Sequence, residues 1–267
     1  MSNLPIAIFD SGLGGLSIWL EIKKLLPNED LIYLGDQAFC PYASKSEDEI
    51  CDKVVSAISF LVNLPVKIVV IACNTAMTVW INYYRQKFPN LPIIGVVPVI
   101  KTAAENTRTK NVLLMGTRWT VFSPYVDKLI AEFGQECEFF KWGDDGKLVS
   151  MIENGKISDS NMLVFLEKKV GVYESKNIDT VVLGCTHFPF LKKRIMEIMG
   201  ESIQIIDSGK AVARQVKRIL KKEGQLAEKR EPRYTFYTTG GVERFVVLAQ
   251  KMIGDEFLIE RAEMISI

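Results

Sequence analysis

Short runs of β-branched and aliphatic residues recur along the chain, separated by stretches in which apolar positions fall three and four residues apart. That alternation predicts a parallel sheet with crossover helices. Strands are expected at residues 6–9, 31–34, 67–71, 92–97, 111–115, 137–142, 180–183, 204–206 and 234–238.

The pattern is written twice. IAIFDSG at residue 6 matches VLLMGTR at 112, LIYLGDQ at 31 matches FFKWGDD at 139, VVIACNT at 69 matches VVLGCTH at 181, and PIIGVV at 92 matches QIIDSG at 204. Four matches in the same order predict two similar α/β units, with the segment from about residue 208 to 267 returning to the first. The expected division is therefore residues 1–97 with 208–267 as one domain and 98–207 as the other. In such sheets the reactive positions are the turns just after the carboxyl ends of the strands. Asp10, Ser11, Asp36, Cys73, Asn74 and Thr75 fall there in the first unit, and Thr117, Cys185, Thr186 and His187 in the second.

Composition narrows the class. An apolar fraction of 48% over 267 residues supplies a real core, and a formal net charge of +1 without a basic block gives no nucleic-acid footprint. No apolar stretch reaches the roughly 18 residues that a membrane span needs. Five widely spaced cysteines, and a start that runs from MSNLP into a strand without a charged leader, predict a reducing cytoplasm. The polar run KKEGQLAEKREP at 221–232 reads as a surface loop.

The glycines of FDSGLGG at 9–15 lack the spacing of a dinucleotide fingerprint, no Gly-Lys-Ser/Thr follows, and Asp10 would repel a pyrophosphate. The turn instead offers free amides to a carboxylate. ACNTA and GCTHF each place a cysteine between an apolar strand and an expected helix start, with Asn74, Thr75 or Thr186 available as caps. Helix amides there should lower each thiol pKa below the free value of about 8.5. A lone cysteine after a strand is most often a small buried hydrophobe. Two in matching positions of a repeat invite a chemical reading.

Four chemistries use cysteines so placed. Zinc wants about four ligands with close local spacing, and one histidine among scattered cysteines offers little. A disulfide redox pair would be adjacent in sequence. A Cys-His hydrolase could use Cys185 and His187 but leaves Cys73 idle. If the two units face each other across a cleft, Cys73 and Cys185 stand on opposite sides of one small substrate, which is what inversion at a carbon demands: one thiolate removes a proton from one face and the other thiol returns one to the opposite face. A two-domain binding protein for small acids is a further reading; it would tolerate loss of both cysteines.

FDSGLGG, YLGDQAFCPYASK, VIACNTA, GTRWTVFSPY, KLVSMIE and LGCTHFP together resemble the glutamate racemase family, in order and over nearly the whole chain. The wider aspartate/glutamate and hydantoin racemase superfamily shares the two cysteines, and aspartate or hydantoin racemisation is the alternative within the class. The resemblance implies a two-domain pseudosymmetric α/β fold with its active site in the cleft, and interconversion of L- and D-glutamate with no cofactor and no metal. It also implies a cytoplasmic enzyme, commonly a homodimer, that supplies D-glutamate for peptidoglycan.

Carried over by position, Cys73 would abstract the proton of D-glutamate and Cys185 that of L-glutamate. Asp10, Glu153 and His187 would assist them, Asp10 beside Cys73 and His187 beside Cys185. Ser11, Tyr42, Ala43, Asn74, Thr75 and Thr186 match the family's substrate contacts, as do Thr117 and Thr120; Asp10 and His187 count among the contacts too. Ala43 stands where the family usually has glycine, so it must meet the substrate without glycine's backbone freedom. Cys40, Cys51 and Cys137 are assigned to packing.

Overall fold

The computed structural model describes residues 2–254, 259 and 261–267; residues 255–258 and 260, inside the expected returning segment, lie outside it together with residue 1. Among the described residues ten strands form two sheets: β1 (Ile6–Asp10), β2 (Leu31–Gly35), β3 (Ile68–Ile71), β4 (Ile93–Gly95), β5 (Asn111–Thr117), β6 (Glu138–Asp144), β7 (Thr180–Gly184), β8 (Gln204–Asp207), β9 (Tyr234–Thr238) and β10 (Ala262–Met264). The larger sheet has the order β10-β9-β2-β1-β3-β4 and the smaller β6-β5-β7-β8. Every pairing among the described residues is parallel, and the connections run through helices, so the architecture is α/β.

The order β2-β1-β3-β4 is repeated by β6-β5-β7-β8, so each of the four sequence matches joins strands in equivalent places. Hydrophobic continuity explains which strands are central. IAIFD of β1, IVVI of β3 and TVVLG of β7 are buried along their whole length, as strands covered on both faces must be. The edge strands β6 and β8 are only half-buried.

All nine expected strands are present, with ends shifted by a few residues. The tenth, β10, has no counterpart in the expected set: three residues on the sheet edge, two of them exposed, leave little apolar signal. The run at 221–232 begins with the last two residues of the helix Gly209–Lys222 and continues as a loop. That loop is tied down at its base, where the buried Glu29 accepts from the Ala227 amide and pairs with Lys67, whose ammonium also donates to the Gln225 carbonyl.

Candidate active site

The site is assembled where β1 and β3 of one sheet and β5 and β7 of the other end. After β1 the chain turns through residues 11–15 before the helix Leu16–Leu25. The turn is held from both units: the Tyr33 hydroxyl donates to the Gly12 carbonyl at 2.6 Å, the Leu13 amide donates to Glu153 Oε1 at 2.6 Å, and the Ser17 hydroxyl donates to the Thr186 carbonyl at 2.9 Å. Close approach requires glycine here. A Cβ on Gly12 would stand 2.2 Å from Glu153 Oε1, and one on Gly14 would stand 2.3 Å from His187 Nδ1.

β3 delivers Cys73, and the helix Asn74–Lys87 starts on the next residue. Cys73 itself occupies the N-cap position with no side-chain cap, so the expected capping by Asn74 or Thr75 does not occur. Their side chains point elsewhere: Thr75 shares a 2.9 Å hydrogen bond with Thr117 across the two sheets, and the Asn74 amide oxygen is buried without a partner. After Cys185 the expected helix start is also absent. Phe188–Leu191 forms a tight 3-10 turn and the α-helix waits until Lys192, because Pro189 has no amide to donate and restricts the residue before it. Thr186 therefore caps nothing and instead donates to Asp10 Oδ1 at 3.1 Å.

Cys73 and Cys185 line one small closed cavity with Ser11, Pro41, Tyr42, Ala43, Asn74, Thr75, Thr117, Val149, Thr186 and His187. Its free volume is about 10 Å³, room for roughly one water. Of the expected contacts, Thr120 sits behind the wall, hydrogen-bonded to Thr117 at 3.0 Å, and Asp10 and Glu153 lie one layer out. Tyr42 is braced by donating to Asp36 Oδ2 at 2.8 Å. Ala43 sits in a 3-10 turn and is not among the left-handed positions, so a side chain is accommodated where the family uses glycine.

The two thiols have different neighbours. Cys73 donates toward Ser11 Oγ at 3.5 Å, and burial, with the Asp10 carboxylate close by, pushes its pKa up to about 12. The expected lowering by helix amides is overturned at Cys73, since desolvation in a closed cavity outweighs the partial charge of one helix end. Burial also pushes Asp10 up to about 6. Cys185 lies 3.9 Å from His187 Nδ1, and His187 Nε2 lies 2.5 Å from Glu153 Oε1. Burial alone would lower the His187 pKa, but hydrogen bonds to Cys185, Cys40 and Glu153 hold it well above the usual value. Glu153 is likewise penalised by burial, yet its bonds to His187, Gln37 and the Leu13 amide hold it below the usual carboxylate range. Both shifts favour the charged forms, an imidazolium against a carboxylate.

Two residues of this layer escaped the sequence reading. Gln37 donates to Glu153 Oε2 at 3.0 Å; its place directly after the GD that ends β2 was the available signal. Cys40 packs against the core of the second unit, as expected, and also has its thiol beside Glu153 and His187.

A family model described as Asp/Glu/Hydantoin racemase matches residues 19–216. A glutamate racemase of Clostridium botulinum is 35% identical over 252 residues, 94% of this chain and 97% of its own. One from Pseudomonas syringae pv. tomato is 38% identical over 84% of this chain and 82% of its own. Among solved structures, a glutamate racemase isoform of Bacillus anthracis superposes with a TM-score of 0.89 at 30% identity, covering 100% of this chain and 98% of that one. The Escherichia coli glutamate racemase in complex with L-glutamate and an activator gives 0.85 at 34% identity, covering 98% of each chain. The chain belongs to the Asp/Glu/hydantoin racemase family, in its glutamate racemase branch.

Proposed function

We propose that the protein interconverts L- and D-glutamate by passing the α-proton between Cys73 and Cys185. The observation that carries the reading is that two cysteines from equivalent strand ends of two sheets that share a four-strand order line the same cavity. With D-glutamate, the Cys73 thiolate takes the α-proton and the Cys185 thiol gives its proton to the opposite face. L-glutamate forms, and thiol and thiolate have changed places. The reverse direction runs from Cys185. No step calls for a cofactor.

The α-proton is a very weak acid, so donors must meet the charge that develops on the substrate carboxylate. Ser11, Thr75 and Thr117 line the cavity and bring hydroxyls for that role. The unpartnered Asn74 amide oxygen suits the substrate ammonium. That ammonium also answers the high pKa of Cys73: a positive charge beside the thiol favours the thiolate that burial otherwise suppresses. Cys185 has the His187 imidazolium instead. Asp10, poised at about 6, assists Cys73 as a nearby proton carrier.

The closed cavity cannot hold glutamate, so the strand ends must part to admit it. Ala43 belongs both to the catalytic cavity and to a larger surface cavity of about 640 Å³ lined by Thr78, Arg118 and Trp119, which marks the entry side. Separation of two units, residues 1–97 with 208–267 and residues 98–207, is the motion this reading requires; two sheets that meet at the cavity support that division. The family resemblance supports a cytoplasmic homodimer that supplies D-glutamate for peptidoglycan. Among the described residues no helix is long and apolar enough to cross a membrane.

The test uses purified protein free of pyridoxal phosphate, treated with EDTA and given L-glutamate in heavy water. D-glutamate carrying α-deuterium is expected, and loss of turnover that zinc restores would defeat the metal-free reading. Aspartate and hydantoin substrates run in parallel should give far lower rates. A second expectation concerns direction. Only one thiol has a histidine partner, so His187→Asn should slow single-turnover α-proton release from L-glutamate by about 10²-fold, within the usual span for acid–base groups, and leave release from D-glutamate much less affected. Equal slowing of both would refute the assignment of His187 to Cys185.

A further inference from the structure

Behind the catalytic cavity, on the side away from Cys185, three metal-type donors converge. A sulfur, a ring nitrogen and a carboxylate oxygen from Cys40, His187 and Glu153 all lie within 4.8 Å of one another. His187 Nε2 and Glu153 Oε1 are already 2.5 Å apart, and the Cys40 thiol lies beside them. Each comes from a different part of the chain: the loop after β2, the last turn of the helix Lys147–Glu153, and the turn after β7.

The geometry points to an inhibitory zinc site formed by Cys40 Sγ, His187 Nε2 and Glu153 Oε1, with water in the fourth position. Zinc binds such donors at about 2.0–2.3 Å in a tetrahedron, which sets them about 3.3–3.6 Å apart. The sulfur must close in and the histidine–carboxylate contact must open by about 1 Å, both within reach of small side-chain rotations. Charge also balances. Before binding, the short His187–Glu153 contact holds one proton and the Cys40 thiol another, with no net charge. Zinc displaces the thiol proton and the Nε2 proton to solvent, so a dication replaces two protons and no net charge is added to a buried place. A thiolate, an imidazole and one carboxylate favour zinc over magnesium or calcium.

Gln37 and Cys40 are half-buried while Glu153 and His187 are buried, so an ion arrives past the Cys40 loop. Neither Cys40 nor Glu153 lines the catalytic cavity. Zinc on Nε2 leaves Nδ1–H toward Cys185 but removes the imidazolium and draws Glu153 from the Leu13 amide, which disturbs the turn that carries Ser11. Inhibition should therefore not be relieved by glutamate.

The experiment has a binding arm and an activity arm. Metal-stripped protein titrated with Co²⁺ as a zinc probe should develop a thiolate-to-cobalt absorption band in the near ultraviolet, and Zn²⁺ should abolish it. Cys40→Ser and Cys40→Ala should both lack the band. In the activity arm, Zn²⁺ should slow racemisation at saturating glutamate and EDTA should restore it. Measured against its own rate in EDTA, either variant should need at least about tenfold more zinc for the same fractional inhibition. No band in the unaltered protein, a band that persists without Cys40, or relief by glutamate overturns the site. The cobalt band does not depend on turnover, so its outcome is independent of the racemase reading.

Discussion

Cys185→Ala should lose racemisation altogether and still exchange the α-proton of D-glutamate for deuterium, while Cys73→Ala should do the reverse with L-glutamate. The expectation follows from placing one thiol on each face. Without Cys185, Cys73 can remove the proton of D-glutamate, but nothing on the far side returns one, and the carbon regains a proton where it lost it. Each variant should fall by about 10⁴-fold or more in racemisation, the upper end of what a positioned acid–base group contributes. Both cysteines are buried and make few polar contacts, so removal of one sulfur leaves a small cavity rather than an unpaired charge, and the fold should survive. Proton NMR of each enantiomer in heavy water reads exchange, and chiral chromatography reads inversion. Exchange should persist longer in Cys185→Ala at pH values above neutrality, because Cys73, pushed up to about 12, gains thiolate as pH rises. Sustained racemisation by either variant would remove the second thiol from the mechanism.

That Cys73 and Cys185 could be paired from the chain alone has a definite cause. Parallel strands buried on both faces read as continuous apolar runs, so VVIA and VVLG announce both their conformation and the point where they stop. The residue after the stop is then a cleft residue by topology. Cys40 and the seating of Thr120 behind Thr117 had no such signal, because they depend on how side chains from separated segments pack. The pKa of Cys73 departs from the sequence expectation for a related reason: a helix end is visible in the sequence, whereas the burial of the thiol is a tertiary fact. The turn after Cys185 was misjudged despite a visible Pro189, whose effect on the helix start outweighed the capping residues. β10 shows the remaining limit, since a three-residue edge strand has almost no pattern to read.

Gly14→Ala should cost about 10²- to 10³-fold in turnover, although Gly14 bears no reactive group. A methyl there would lie 2.3 Å from His187 Nδ1, 2.6 Å from its Cε1 and 2.6 Å from Thr186 Oγ1. The ring has little room to yield: it is fully buried, with Nε2 fixed on Glu153 and Nδ1 facing Cys185. Gly14 is not among the left-handed glycines, so the substitution acts through contact rather than backbone strain. Overpacking of this kind costs about 1–3 kcal/mol of stability, within what a domain of this size withstands. The damage should be one-sided. Displacing His187 and the Thr186 hydroxyl disturbs the Cys185 face, so α-deuteration of L-glutamate should fall far more than that of D-glutamate. Gly241→Ala is the control, because nothing lies within 4 Å of its added methyl and its φ of −67° is ordinary. A melting curve establishes that Gly14→Ala is folded, and deuterium exchange from each enantiomer then reads the asymmetry. Unaltered turnover in a folded Gly14→Ala would mean that the His187 position seen here is not the one the reaction uses.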